Sequence, residues 1–318
     1  MRILITGAAG FIGFHISNLL LKKRNEVFGV DNLNSYYDTN LKKKRLEILK
    51  DFKNFYFYKM DIQEKVLLNT FKKKKIDCVI NLAAQAGVRH SLKDPYTYIN
   101  SNILGHLNIL ELVKTGNIDK LIYASSSSVY GGNKKLPFSV RDRVDQPVSL
   151  YAASKKSCEL ISECYSKLFG FRCIGLRFFT VYGPWGRPDM ATFIFTKNII
   201  NKKKINIFNF GKMKRDFTYI DDIINGIEGA ILSKKKSHNI YNLGNNNSEN
   251  LLDFIKIIEN NLGIKAKKKF LPLQPGDVPE TFADIDKSRC DLNFSPKTKI
   301  SEGIPKFISW YKEFYNLK

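Results

Sequence analysis

Tyr151 and Lys155 stand four residues apart, a spacing that puts both side chains on one face of a helix. An ammonium near a phenol favours the phenolate, which suits a tyrosine acting as general base near neutral pH. A second Tyr-x-x-x-Lys match, Tyr130–Lys134, encloses Gly131-Gly132 and reads as a loop, where the two side chains need not align. Four consecutive serines, Ser125–Ser128, precede the first pair. A hydroxyl there can bridge a substrate hydroxyl and the tyrosine, completing a Ser-Tyr-Lys relay. Ser126 is the first candidate for that role, with Ser127 and Ser128 as neighbours contacting substrate.

A second constellation points to a dinucleotide. Gly7-Ala8-Ala9-Gly10-Phe11-Ile12-Gly13 follows an apolar run and opens a helical pattern. Glycines at these positions allow a tight turn, backbone approach to a pyrophosphate and close packing of helix on strand. Asp31 ends the next apolar run, eighteen residues after Gly13. A carboxylate there accepts from the adenosine ribose and repels a 2′-phosphate, favouring NAD over NADP. Asn32, which follows it, brings no basic residue to welcome that phosphate. Asp61-Ile62, past the third apolar run, is a candidate for the adenine edge.

These residues need a scaffold that brings strand ends and helix starts to one edge. Strand patterns at Arg2–Thr6, Glu26–Asp31, Phe55–Lys59, Cys78–Leu82, Lys120–Ser125 and Phe171–Phe178 alternate with helical ones. The helices are expected at Phe11–Leu21, Asn40–Lys50, Glu64–Phe71, Tyr96–Val113 and Tyr151–Leu168. Such alternation predicts an α/β fold, a Rossmann-type doubly wound parallel sheet covered on both faces. Beyond about Phe179 the elements shorten: helices Ala191–Ile200, Tyr219–Ile231 and Asn250–Leu262, strands Ile205–Phe208 and Asn239–Asn242, and turns at Gly183-Pro184 and Pro275-Gly276. The expected division is a dinucleotide-binding domain over 1–178 and a smaller α/β substrate domain over 179–318, with an interleaved boundary.

Composition narrows the function classes. The 318 residues are 43% hydrophobic and 26% charged, which excludes wholesale disorder. No apolar run reaches the roughly 18 residues of a membrane span, and the folded pattern starts at once, without a signal peptide. The five cysteines form no CxxC pair, so a cytoplasmic protein with reduced thiols is expected. The net charge of +22 comes from scattered lysine bursts such as Lys42–Lys44 and Lys267–Lys269. None is interleaved with aromatic stacking platforms, so they read as solvated surface, helix faces or turns, and no nucleic-acid partner is expected. His15, His90, His106 and His238 lack metal-ligand spacing and read as structural or surface residues; no metal is expected.

Together these features resemble the extended short-chain dehydrogenase/reductase superfamily. Longer stretches are similar to UDP-glucuronate 4-epimerases: Asp31–Asp38 (DNLNSYYD), Ala83–Arg89 (AAQAGVR), Ser125–Gly131 (SSSSVYG), Pro147–Lys156 (PVSLYAASKK), Leu176–Met190 (LRFFTVYGPWGRPDM) and Arg215–Asp222 (RDFTYIDD). The resemblance spans residues 1 to about 285. It implies tightly held NAD, a UDP-sugar substrate, and a transient 4-keto sugar formed with Tyr151 as base. It extends the cofactor set to Leu82, Ala83, Ala84, Asn100 and Phe178, and the substrate set to Thr180, Gln274 and Asp277. Arg215 resembles a diphosphate-binding arginine, and a guanidinium suits phosphate. Arg187 is a candidate for the nucleotide or the hexuronate carboxylate, and Arg89 is a second candidate for that carboxylate. A homodimer through the helices Tyr96–Val113 and Tyr151–Leu168 is implied as well.

The related chemistries part at Ser126-Ser127-Ser128. Sugar-nucleotide 4,6-dehydratases carry Thr-Asp-Glu there, and UDP-glucuronate decarboxylases keep the last glutamate. Serines do not supply that acid/base chemistry, which argues against elimination and, less firmly, against decarboxylation. The competing expectations are a UDP-glucuronate decarboxylase, a UDP-hexose or N-acetylhexosamine 4-epimerase, and a dinucleotide-binding sensor or scaffold without turnover. The +22 charge leaves a polyanion-binding role as the remotest of them.

Overall fold

The strands form because their residues are continuously apolar. Ile3, Leu4 and Ile5 are fully buried, as are Val79, Ile80, Leu121 and Ile122, the pattern of strands covered on both faces. In the computed structural model, which describes residues 1–274 and 276–317, they build one seven-stranded parallel sheet. Six strands come from the first 178 residues: β1 (Arg2–Thr6), β2 (Glu26–Asp31), β3 (Phe55–Lys59), β4 (Cys78–Asn81), β5 (Lys120–Ser126) and β6 (Arg172–Phe178). The seventh, His238–Leu243, comes from the second half and pairs in parallel with β6 from Cys173 to Phe178. The order is His238–Leu243, β6, β5, β4, β1, β2, β3. The chain reverses direction across the sheet between β1 and β4, and a crevice opens there at the carboxyl ends of the strands.

Two helical segments matter most for the site. Leu150–Phe169 runs unbroken for 20 residues, capped at its start by Ser149, whose side chain accepts from the Ala152 N–H. The expected single helix Tyr96–Val113 is instead three pieces: α-helix Pro95–Tyr98, a π-helical stretch Ile99–Leu104, and α-helix Gly105–Thr115. The wider π turn accompanies a buried Asn102. Its side chain accepts from the Gln85 N–H (2.8 Å) and donates to the Gln85 carbonyl (3.0 Å) and Ser154 Oγ (2.9 Å). Helical periodicity alone does not reveal such an insertion.

The second half packs helices Ala191–Ile200, Ile220–Leu232, Leu251–Leu262 and Ile300–Phe314 around an aromatic core that includes Tyr182, Phe193, Phe217, Phe254 and Phe307. Three short strand pairs complete it, among them Lys204–Ile207 with Lys267–Phe270. The Lys267–Lys269 burst therefore lies on an exposed strand rather than on a helix or turn; lysines on such an edge discourage pairing with other chains.

Candidate active site

A cleft of about 860 Å³ lies over the switch point. Its floor is made by the residues that follow each strand: Gly7 after β1, Asn32 after β2, Met60–Ile62 after β3, Leu82–Gln85 after β4, Ser127 and Ser128 after β5, and Phe179 and Thr180 after β6.

The glycine turn fits a dinucleotide. Gly7 has φ +69°, and a Cβ there would stand 2.9 Å from the Ala83 nitrogen. A Cβ on Gly13 would stand 2.0 Å from the Gly7 carbonyl oxygen. The helix Phe11–Lys22 starts at Gly10 with no side-chain cap, so first-turn N–H groups at the cleft remain available to an anion. Asp31 accepts from the Ala9 N–H (3.1 Å) and the Leu33 N–H (2.8 Å), and each oxygen keeps capacity for a further donor. Burial raises its pKa, while these N–H groups and the nearby Lys42 and Arg45 oppose that rise. Asn32 donates to Asp61 Oδ2 at 2.8 Å, joining the two expected adenosine contacts beside Ile62.

Tyr151, Lys155 and Ser126 all line the same cleft. Lys155 is buried and donates to the Ala124 carbonyl at 2.9 Å. The Tyr98 ring meets the Tyr151 ring edge-on at 6.1 Å and is held by donating to the Ala86 and Gly87 carbonyls. Ser126 Oγ lies 3.1 Å from Ser128 Oγ and accepts from the Ser128 N–H at 3.1 Å, capping the short turn Ser127–Tyr130. The hydroxyl proposed for the relay therefore also shapes the turn that carries the other two serines. Phe178, Leu82, Ala83 and Ala84 line the cleft as expected.

On the other side, Arg187, Arg89, Arg215, Thr180 and Asp277 line it too. Arg187 makes a two-point contact with Asp189, Nε–Oδ1 3.0 Å and Nη2–Oδ2 2.5 Å. Burial opposes charge on both, yet the pairing raises the arginine's pKa and lowers the aspartate's. Tyr36 donates to Asp189 at 3.3 Å, and burial together with that carboxylate pushes it up to about 12. Arg89 pairs with Asp277 at 2.8 Å and stacks over the Phe208 ring. Arg215 spends Nη1 on the Lys214 and Pro279 carbonyls, at 2.8 and 3.0 Å.

Two expected site residues fall elsewhere. Asn100 is exposed, on the π-helical stretch, and the cleft is lined by Ser101 instead. Gln274 is half-buried outside the cleft. Pro275, in the expected Pro275-Gly276 turn, lies outside the described residues.

Other contributors were not evident in the sequence. Lys42 sits in a burst read as solvated surface, yet it is 5% exposed and lines the cleft. Its Nζ donates to the Asn34 carbonyl (2.9 Å) and Asn34 Oδ1 (2.8 Å). The signal was present as helical spacing, since Leu41, Lys42, Arg45, Leu46 and Leu49 form the buried face of Thr39–Lys50. Arg45, fully buried, donates to the Ala9 and Trp185 carbonyls and so ties the glycine turn to the Arg187 loop. His90, read as structural or surface, also lines the cleft.

Comparison with known proteins agrees with this geometry. The NAD dependent epimerase/dehydratase family matches residues 3–244. Protein CapI of Staphylococcus aureus is 49% identical over 99% of both chains. UDP-glucuronate 4-epimerase 4 of Arabidopsis thaliana is 44% identical over 99% of this chain and 76% of its own length. Among solved structures, a tyrosine-to-phenylalanine mutant of Bacillus cereus UDP-glucuronic acid 4-epimerase, in complex with UDP-4-deoxy-4-fluoro-glucuronic acid and NAD, superposes with a TM-score of 0.94. It is 37% identical over 99% of this chain and 100% of its own.

Proposed function

Since this chain belongs to the NAD dependent epimerase/dehydratase family, we propose that it is an NAD-dependent isomerase that interconverts UDP-glucuronate and UDP-galacturonate by inversion at C4. The observation that carries this reading is the convergence of Tyr151, Lys155 and Ser126 with the glycine turn in one cleft. The likeness to UDP-glucuronate 4-epimerases from a plant and a bacterium supports the choice of sugar.

Bound NAD supplies a reversible hydride acceptor for the sugar carbon. The cradle Gly7–Gly13, Asp31, Asn32, Asp61 and Lys155 are the groups to hold it. Tyr151, as phenolate, takes the 4-hydroxyl proton as C4 is oxidised, and returns it when C4 is reduced from the opposite face. Lys155, anchored on the Ala124 carbonyl, sets its ammonium on the tyrosine's helix face, beside the cofactor cradle. Ser126 bridges the sugar hydroxyl and Tyr151.

Elimination needs a free carboxyl group near C5 and C6. In the substrate half the cleft-lining carboxylates are Asp189 and Asp277, each engaged by an arginine. We assign Ser127, Ser128 and Thr180 to the hexuronate carboxylate, holding it in the sugar plane, where the C–C bond overlaps poorly with the 4-ketone and CO₂ is retained. Arg215 and Arg187 provide the charge for the diphosphate or carboxylate. Residues 1–178 then handle the dinucleotide and 179–318 the UDP-sugar.

No helix among the described residues is long and apolar enough to cross a membrane. A cytoplasmic setting suits five unpaired cysteines. Exposed Leu92, Tyr96, Ile99, Leu104 and Leu160, on or beside the helices at 95–115 and 150–169, form the surface on which a second copy docks in a homodimer.

The test is incubation of the purified protein with UDP-glucuronate and no added cofactor, read by NMR and mass spectrometry. The expected product has unchanged mass and an inverted C4 proton. A product lighter by CO₂, or epimerisation confined to UDP-glucose or UDP-N-acetylhexosamine, overturns the substrate assignment.

A further inference from the structure

Ser125 lines the cleft, and with two charged residues outside the lining, Glu159 and Arg177, it forms a buried cluster that the mechanism above does not use. Glu159 is two helical turns beyond Tyr151 and one beyond Lys155, so the three share a face of Leu150–Phe169. Both Glu159 oxygens are gripped by Arg177 of β6, Nε–Oε1 at 2.8 Å and Nη2–Oε2 at 2.9 Å. Ser125 of β5 donates to Glu159 Oε1 at 2.7 Å. All three residues are 2% exposed.

The cluster touches every element that carries a reacting group. Ser125 precedes Ser126, and Arg177 precedes Phe178. The Arg177 guanidinium also lies over the ring of Tyr130, 4.8 Å from its centroid. Tyr130 closes the turn that bears Ser127 and Ser128, and its hydroxyl donates to Asn242 Oδ1 at 2.6 Å on the neighbouring strand. Along β5 the bonds step in register with the helix, Ala124 to Lys155 and Ser125 to Glu159, and Ser126 follows at the end of the strand.

We propose that Ser125, Glu159 and Arg177 form a positioning clamp, which fixes the register between the serine-bearing end of β5 and the helix face carrying Tyr151 and Lys155. The clamp rests on the reading of Tyr151 as the base at C4. Glu159 is suited to a permanent anchor: burial alone would raise its pKa, but the bonds from Arg177 and Ser125 hold it below the ordinary carboxylate range. A two-point guanidinium–carboxylate contact fixes angle as well as distance, which a lysine in place of Arg177 would not reproduce. Small errors in the placement of proton donor and acceptor lower turnover while leaving most substrate contacts intact.

The experiment compares wild type with Ser125→Ala, Ser125→Thr, Glu159→Gln and the Ser125→Ala/Glu159→Gln double variant. Steady-state kinetics on UDP-glucuronate are read beside thermal melts. Expected is a loss of about tenfold in kcat for Ser125→Ala, with KM within about twofold, an unchanged melt, and recovery in Ser125→Thr. The double variant should be no slower than Glu159→Gln alone, because both act through one contact. Wild-type kcat in Ser125→Ala, a loss appearing in KM, or independent multiplication of the two losses would overturn the clamp. If wild type ignores UDP-glucuronate but epimerises another UDP-sugar, only the sugar assignment fails, and the same comparison on that sugar decides the clamp. No turnover of any UDP-sugar by wild type overturns both.

Discussion

Arg89 and Asp277 are 188 residues apart in the chain and meet at 2.8 Å at the rim of the cleft, with the arginine side chain about half exposed. Arg215 lines the same side and feels both charges. Asp277 thus sets a negative charge beside two arginines that face an anionic substrate. Asp277→Asn keeps a hydrogen-bonding group and removes that charge. We expect UDP to bind about two- to fivefold more tightly, read by calorimetry, with the gain shrinking as salt is raised. The thermal melt should hardly move, because exposed ion pairs contribute little to stability. Weaker UDP binding would mean that Asp277 holds the nucleotide through its charge.

Lys42 gives a prediction for the cofactor half. Its ammonium is fixed on Asn34 at the cleft wall, close to Asp31. Replacement by Met keeps much of the volume and removes both the charge and the anchor of the Asn32–Asn34 loop. Charge-assisted bonds contribute about 1.5–3 kcal/mol, so NAD should bind about 10- to 100-fold more weakly. The check is the NAD content of the purified variant and its recovery of activity on adding NAD. Full retention of cofactor in Lys42→Met would assign the lysine to loop structure alone.

Lys42 also shows what could be read from the sequence and what could not. Residues fixed by backbone geometry were legible: the glycine turn, the strand ends and the Tyr151–Lys155 face follow from local spacing. Side chains whose role depends on a distant partner were not. Glu159 and Arg177 look like ordinary helix and strand charges until β5, β6 and the helix are brought together. Asn100 was placed by resemblance alone, and on the π-helical stretch it is Ser101 that lines the cleft. The seventh strand was legible as a strand, but its place beside β6 is a long-range pairing that no local signal encodes.

The buried histidines make acid stability predictable. His106 accepts from Asn81 Nδ2 at 3.0 Å and donates to Ser162 Oγ at 2.8 Å; the amide can only donate to Nδ1 because Asn81 Oδ1 is occupied by Thr6. Burial lowers its pKa to about 3, and that of His15 to about 4. In the unfolded chain both would titrate near 6.5. Above that pH the neutral rings cost nothing; as pH falls below it the unfolded chain takes up protons that the fold refuses. The two histidines together therefore take away about 3 kcal/mol per pH unit between pH 6.5 and about 4, and Asp216, raised to about 6 by burial, offsets roughly half of that below pH 6 because its carboxyl takes up a proton in the fold before it does in the unfolded chain. In His106→Gln, urea melts at pH 7, 5.5 and 4.5 should show a slope shallower by about 1.4 kcal/mol per pH unit. An unchanged slope would mean that His106 is not the group resisting protonation.

The role proposed for Ser128 is tested by product purity. A 4-keto hexuronate is a β-keto acid and can lose CO₂ without further catalysis, so an epimerase must hold the carboxylate away from the cleaving orientation. Ser128 and Thr180 line both the main cleft and a side chamber of about 140 Å³. Ser128 is also tied to Ser126 through its N–H and its hydroxyl, both at 3.1 Å. Ser128→Ala keeps the N–H bond that caps the turn and removes only the hydroxyl. The expected outcome is a kcat lowered by about tenfold or less, together with a decarboxylated UDP-pentose by-product detectable by mass spectrometry. Ser128→Thr should suppress that by-product if the hydroxyl itself restrains the carboxylate. Unchanged rate and a single product in Ser128→Ala would transfer the restraint to Ser127, Thr180 or the arginines. A lowered rate with no lost CO₂ would confine Ser128 to shaping the turn.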